Sequence, residues 1–143
     1  MIRNTFRMLA VVAVLAITAT RASAQGFKVI ANPGVATSDI SAADLARIFV
    51  KQSSKFPDGG AAVPVDQGKA SAARASFSTK VHGKSVNAVD SYWQQQIFSG
   101  KDVPPATKAG DDEVIAFVKA TPGAVGYVSE AAAAEGVKVI TVK

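Results

Sequence analysis

Residues 62–77, AVPVDQGKASAARASF, constrain the fold most, because they carry three local instructions in a row. Val63 and Val65 are a short β-branched run that favours a strand. Asp66-Gln67-Gly68 is a turn signal, with Gly68 free to adopt backbone angles that other residues avoid. Ser71 suits the N-cap of a helix that runs over Arg74 to Phe77 and a little beyond. A helix that starts there leaves its first N–H groups unpaired and carries partial positive charge at that end. Gly68, Lys69, Ala70, Ser71 and Arg74 are therefore the candidate ligand-binding group, and a small oxyanion is the ligand their chemistry fits. An ordinary βα loop has the same spacing, so both readings stand at this point.

The N-terminal segment reads as an export signal. Arg3 and Arg7 precede an uncharged, mostly apolar run from 8 to 20, and Ala22-Ser23-Ala24 is a small-x-small cleavage signal. The expected division is a signal peptide over 1–24 and one domain over 25–143, with Gln25 as the mature start. The apolar run is shorter than the roughly 20 residues a membrane-spanning helix needs, so no stable membrane insertion is expected. The chain has no Cys, which excludes both a lipid-modified cysteine and disulfides. A periplasmic, non-lipidated protein is the expectation.

The full chain carries a net charge of +5. Arg3, Arg7 and Arg21 leave with the signal, so the mature domain is only slightly basic. With no basic run interleaved with aromatics, a nucleic-acid role is not expected. His82 is the only histidine, and it reads as a capping or solvated residue at a helix end rather than a general base. No His/Asp/Glu cluster at metal-ligand spacing occurs, so neither an enzyme, a metal nor a cofactor is expected. Asp111, Asp112 and Glu113 are explained by a helix N-terminus, which favours acids.

The remaining segments alternate. Phe27–Ala31 is a strand closed by Asn32-Pro33-Gly34. Ser41 and Asp44 open a helix that places Leu45, Ile48 and Phe49 on one face. Gly83 stops the helix of the first motif, and Ser85 caps the next, whose apolar face is Val86, Val89, Trp93 and Ile97, with Phe98 packed under its end. A loop from 101 to 110 leads to a helix starting at Asp111 or Asp112. A buried strand over 124–128 follows, where Gly126 implies a close approach and Tyr127 packs at the strand end. Ser129 is expected to cap a brief Ala-rich helix ending at Gly136, before a last strand over 137–142. This alternation predicts an α/β domain with a parallel or mixed sheet covered by helices.

The order of these pieces resembles a known family. Asn32-Pro33, the Leu45-Ala46-Arg47-Ile48-Phe49 helix end, Phe56-Pro57-Asp58-Gly59, Val63-Pro64-Val65-Asp66, Tyr92-Trp93 with Ile97-Phe98-Ser99-Gly100, Pro104-Pro105 and the 121–128 run TPGAVGYV occur in sequence. Together they are similar to small, single-lobe relatives of phosphate ABC transporter substrate-binding proteins, with the type 2 periplasmic binding protein fold. The resemblance implies that 62–77 matches the anion-gripping loop Arg-x-Asp-Gly-Ser-Gly-Thr. Aligned on Gly68, the Arg position is Val65, the Asp position Gln67, the Ser position Lys69, the second Gly Ala70 and the Thr Ser71. Gly68 is kept and Ser71 substitutes for Thr, whereas the Arg and Asp are replaced. Lys69 restores a positive charge, as a flexible point charge and not a bidentate fork.

About 119 residues suffice for one lobe only. A single lobe leaves an anion half in water, where each hydrogen bond nets little, unless a partner or a second copy supplies the other wall. Two functions follow. One is an exported binding module for phosphate or another small oxyanion, working with an ABC permease. The other is a ligand-free accessory or protein-interaction module of the cell envelope, derived from such a lobe.

Overall fold

The structure is a computed structural model that describes residues 26–143. The expected signal peptide, its cleavage site and Gln25 lie outside the described residues. Six strands form one mixed sheet: β1 (Phe27–Ala31), β2 (Asp39–Ile40), β3 (Val63–Gln67), β4 (Ala106–Lys108), β5 (Ala124–Ser129) and β6 (Lys138–Val142). Their order across the sheet is β2-β6-β1-β5-β3-β4. β1 is antiparallel to both β5 and β6, whereas β3 runs parallel to β5 and β4. This is the α/β arrangement with a mixed sheet flanked by helices that the alternation predicts.

The helices are α1 (Ala42–Phe49), α2 (Ala72–Phe77), α3 (Val86–Phe98) and α4 (Asp111–Ala120), and a π turn over Ser78–His82 prolongs α2. Ser41, Ser71 and Ser85 cap α1, α2 and α3, each accepting from the backbone N–H three residues on. The period-2 alternation of β1 and β5 splits the core into two layers. Val29, Ala31, Val125 and Tyr127 point toward Leu45, Ile48, Phe49 and Phe77, under α1 and α2. Ile30, Val65, Ala124 and Val128 point toward Val114 and Val118 of α4. Gly126 lies where β3 and α4 converge. A Cβ there would stand 2.7 Å from Val65 Cγ1 and 2.9 Å from Val114 Cγ1.

The structure departs from the expected elements at five points. First, β3 runs through Asp66 and Gln67, which were expected in the turn, because the segment 106–108 forms β4 rather than loop and pairs with them. Second, β2 is a two-residue strand held parallel to β6 at the sheet edge. Third, Ser129 ends β5, and 130–136 forms turns and no helix. Its backbone is taken by outside partners, since Glu130 N donates to Gly26 O and Lys28 Nζ donates to Ala132 O. So short a segment cannot offset helix nucleation on its own. Fourth, Phe98 is 97% exposed and Ile97 52% exposed, because no described element covers the end of α3. Fifth, Tyr127 is fully buried at the centre of the sheet, stacked on Phe77 with ring centroids 4.0 Å apart.

Because the Gly126 site has no room for a methyl group, Gly126→Ala is expected to cost about 1–3 kcal/mol by overpacking. A thermal melt lowered by several degrees checks this; an unchanged melting temperature refutes the close approach.

Candidate functional site

β3 delivers the site. Its carboxyl end opens beyond the parallel part of the sheet, the usual location of ligand crevices in such sheets. Alternation along the strand sends Asp66 toward α2 and Gln67 toward α4. Both are polar and almost fully buried, so each must find partners inside the protein.

They do so through Tyr127 and the two neighbouring helix starts. The Tyr127 hydroxyl donates to Asp66 Oδ1. Gln67 N donates to Asp66 Oδ1 at 2.9 Å and to the Tyr127 hydroxyl oxygen at 3.2 Å. Burial, reinforced by the negative charge of Asp66, holds the Tyr127 hydroxyl protonated far above its ordinary range. The Gln67 carboxamide donates from Nε2 to Asp111 Oδ1 and to Tyr127 O, both at 2.9 Å, and its Oε1 accepts from Ser71 Oγ at 2.6 Å. Burial opposes the charge of Asp111, yet the hydrogen bonds from Gln67 and Ser129 keep its carboxyl below the usual carboxylate range.

The five candidate residues lie together on the loop and first turn of α2, and the side chains of Lys69, Ser71 and Arg74 and the backbone N–H groups of Gly68 and Ser71 have partners within the chain. Gly68 N donates to Lys108 O at 2.9 Å, and Ser71 N donates to Gly68 O at 3.0 Å. Ser71 Oγ accepts from Arg74 N while donating to Gln67. Arg74 is 9% exposed, and its guanidinium folds back under β3. Nη1 donates to Gln67 O at 2.9 Å, Nη2 to Asp90 Oδ1 at 2.7 Å, and Nε stands 3.9 Å from Asp66 Oδ1. Lys69 Nζ reaches the other oxygen of the same carboxylate, Asp90 Oδ2, at 2.9 Å. Lys69 and Ala70 are exposed.

Asp66, Arg74 and Asp90 also line a cleft of about 240 Å³, with Trp93, Gln94 and Thr107 on its other walls and Ile97 and Pro104 at its apolar side. Sequence reasoning did not single out Asp90. The signal was present: it directly follows Val89 on α3 and precedes Trp93 by three, so it borders the buried face of that helix. Among the described residues no group of three or more His, Cys, Asp or Glu could hold a metal ion. No described helix is long and apolar enough to cross a membrane.

Asp90 is thus the keystone of the loop's charge balance. Asp90→Ala leaves the buried Arg74 guanidinium short of its charged partner and is expected to cost about 1.5–3 kcal/mol. Lys69→Ala breaks only the outer pair, where Lys69 is 61% exposed, and should cost less than about 1 kcal/mol. Urea denaturation of the two variants checks this ranking, and equal losses would refute it.

No protein-family model and no curated protein sequence matches the chain. Solved structures do. A Clostridium perfringens protein assigned as a phosphate ABC transporter substrate-binding protein, solved with bound phosphate, is 16% identical with a TM-score of 0.64, over 82% of this chain and 44% of that one. An ABC-type phosphate transport receptor from Vibrio cholerae is 16% identical with a TM-score of 0.63, over 82% and 46%. PstS from Borrelia burgdorferi is 14% identical with a TM-score of 0.62, over 82% and 47%. The match spans less than half of each of these structures. The chain therefore has the fold of one lobe of a type 2 periplasmic binding protein, similar to those of phosphate transport.

Proposed function

We propose that this chain is an exported, single-lobe solute-binding-type protein of the periplasm that acts through protein contacts in the cell envelope, with no tightly held small ligand and no catalysis. The observation that carries this reading is Asp90, whose carboxylate bridges Lys69 and Arg74 and stands where an incoming oxyanion would have to bind them. An anion must displace that carboxylate and offset the loss of its pairs with both cations. The exposed Ile97 and Phe98 at the end of α3 support a surface that meets protein, whether an ABC permease or another envelope component.

A second reading, phosphate or another small oxyanion held at Gly68, Lys69, Ala70, Ser71 and Arg74, is favoured by one feature. The Lys69–Asp90 pair is largely exposed on the Lys69 side, and such pairs contribute at most about 1 kcal/mol. A dianion could therefore compete for the outer half of the site.

Calorimetric titration of the purified protein with phosphate and with sulfate, repeated on Lys69→Ala and Ser71→Ala, separates the two. The expected outcome is no saturable heat up to anion concentrations of about 5 mM, which sets binding weaker than roughly 4 kcal/mol. Saturable heat that both substitutions abolish establishes the oxyanion site and overturns the first reading.

Export is tested independently. N-terminal sequencing of the protein recovered from the periplasmic fraction should begin at Gln25. Recovery of the uncleaved chain in the cytoplasm would refute it.

A further inference from the structure

A second cleft, away from the β3 loop, lies between the end of α1, the π turn and α3. Its volume is about 170 Å³. Its polar wall is Arg47, Gln52, His82 and Lys84, and no carboxylate lines it. Its apolar wall is Val50, Val89 and the half-buried ring of Tyr92.

The backbone builds this wall deliberately. α1 ends in a left-handed turn at Lys51, with φ of 58°, and Gln52 N folds back onto Arg47 O at 2.8 Å. The π turn winds one residue wider than an α-helix, a geometry concentrated at functional sites. It carries His82 inward until its ring meets Phe77 edge-on at 5.5 Å. Lys84 is pinned behind it, because Ser78 Oγ donates to Lys84 O at 2.7 Å. The arrangement differs from the loop site in one respect that matters. There, Asp90 neutralises the cations. Here, the nearest acid partner is Asp44, 3.4 Å from Arg47 on an exposed flank, with side chains 62% and 40% exposed. Such a pair contributes little and does not compete strongly with a ligand.

We infer that this cleft binds a small organic oxyanion: a carboxylate or phosphomonoester group held by Arg47 and Lys84, attached to an apolar body of about one ring that packs on Val50, Val89 and Tyr92. The size fits, since an apolar cavity of about 150 Å³ admits benzene. Burial holds the His82 pKa below its ordinary value, so at neutral pH the ring is uncharged and offers one N–H and one acceptor in the lining of the cleft. Inorganic phosphate satisfies the cations but leaves the apolar wall wet, so it should bind less well than its aryl ester.

The lone histidine makes the test direct. Benzoate, phenyl phosphate and inorganic phosphate are titrated separately into the purified protein while the His82 ring resonances are followed by NMR. Benzoate and phenyl phosphate should shift them saturably, with midpoints below about 10 mM. The double variant Arg47→Ala, Lys84→Ala removes two exposed side chains and should weaken both by at least about tenfold. Lys69→Ala, at the other site, should leave the midpoints unchanged, so failure here is separable from failure of the reading above. A shift that never saturates, or one that the double variant leaves intact, overturns the site. Inorganic phosphate binding as tightly as phenyl phosphate overturns the proposed ligand class.

Discussion

The Gln67 carboxamide is sealed from water at the end of β3, and the need to satisfy it organises everything around it. Its nitrogen ties Asp111 at the start of α4 to the backbone of β5, and its oxygen holds Ser71 at the start of α2. One side chain thus fastens two helix starts on opposite faces of the sheet to the strand between them. An unpartnered amide at this depth would cost about 1–3 kcal/mol, so the three partners hold a definite geometry. The adjacent Asp66 and Tyr127 do the same on the α2 face, where Phe77 stacks over the phenol.

With the strand end fastened in this way, the placement of charge follows. Arg74 is drawn under the loop by Gln67 O and Asp66, and α3 brings Asp90 to meet it. The loop that resembles an anion grip thus carries its own ion pairs. Two cations, Lys69 and Arg74, face two carboxylates, Asp66 and Asp90. The cleft at the end of α1 has the opposite balance, with cations and no carboxylate in its lining. Two clefts in one small fold therefore have different electrostatic characters.

Much of this was legible in the residues. β1, the three serine caps, the buried face of α1 and the close approach at Gly126 are local or periodic features, and the structure has them. The five candidate residues also fall together, since a short loop and one helical turn admit little else. Their partners were not legible. Asp90 comes 16 positions after Arg74 and Tyr127 comes 60 after Gln67, separations that no spacing rule spans. The Ala-rich segment after Ser129 shows the opposite failure. Its composition favours helix, yet Gly26 O accepts from Glu130 N and Lys28 donates to Ala132 O, and a segment of this length has no cooperative reserve to resist.

By itself the sequence determined the α/β alternation, the start of each helix and the class of chemistry that the β3 loop could carry. These depend on backbone propensity, capping and side-chain period, which act over a few residues. Only the tertiary structure decided that Asp66 and Gln67 are buried strand and not turn, that Phe98 stays in water, and that the loop cations are answered by Asp90. Those outcomes rest on which distant element arrives to pair, cover or neutralise. Pairing, burial and charge balance are settled between elements, after local structure has already formed.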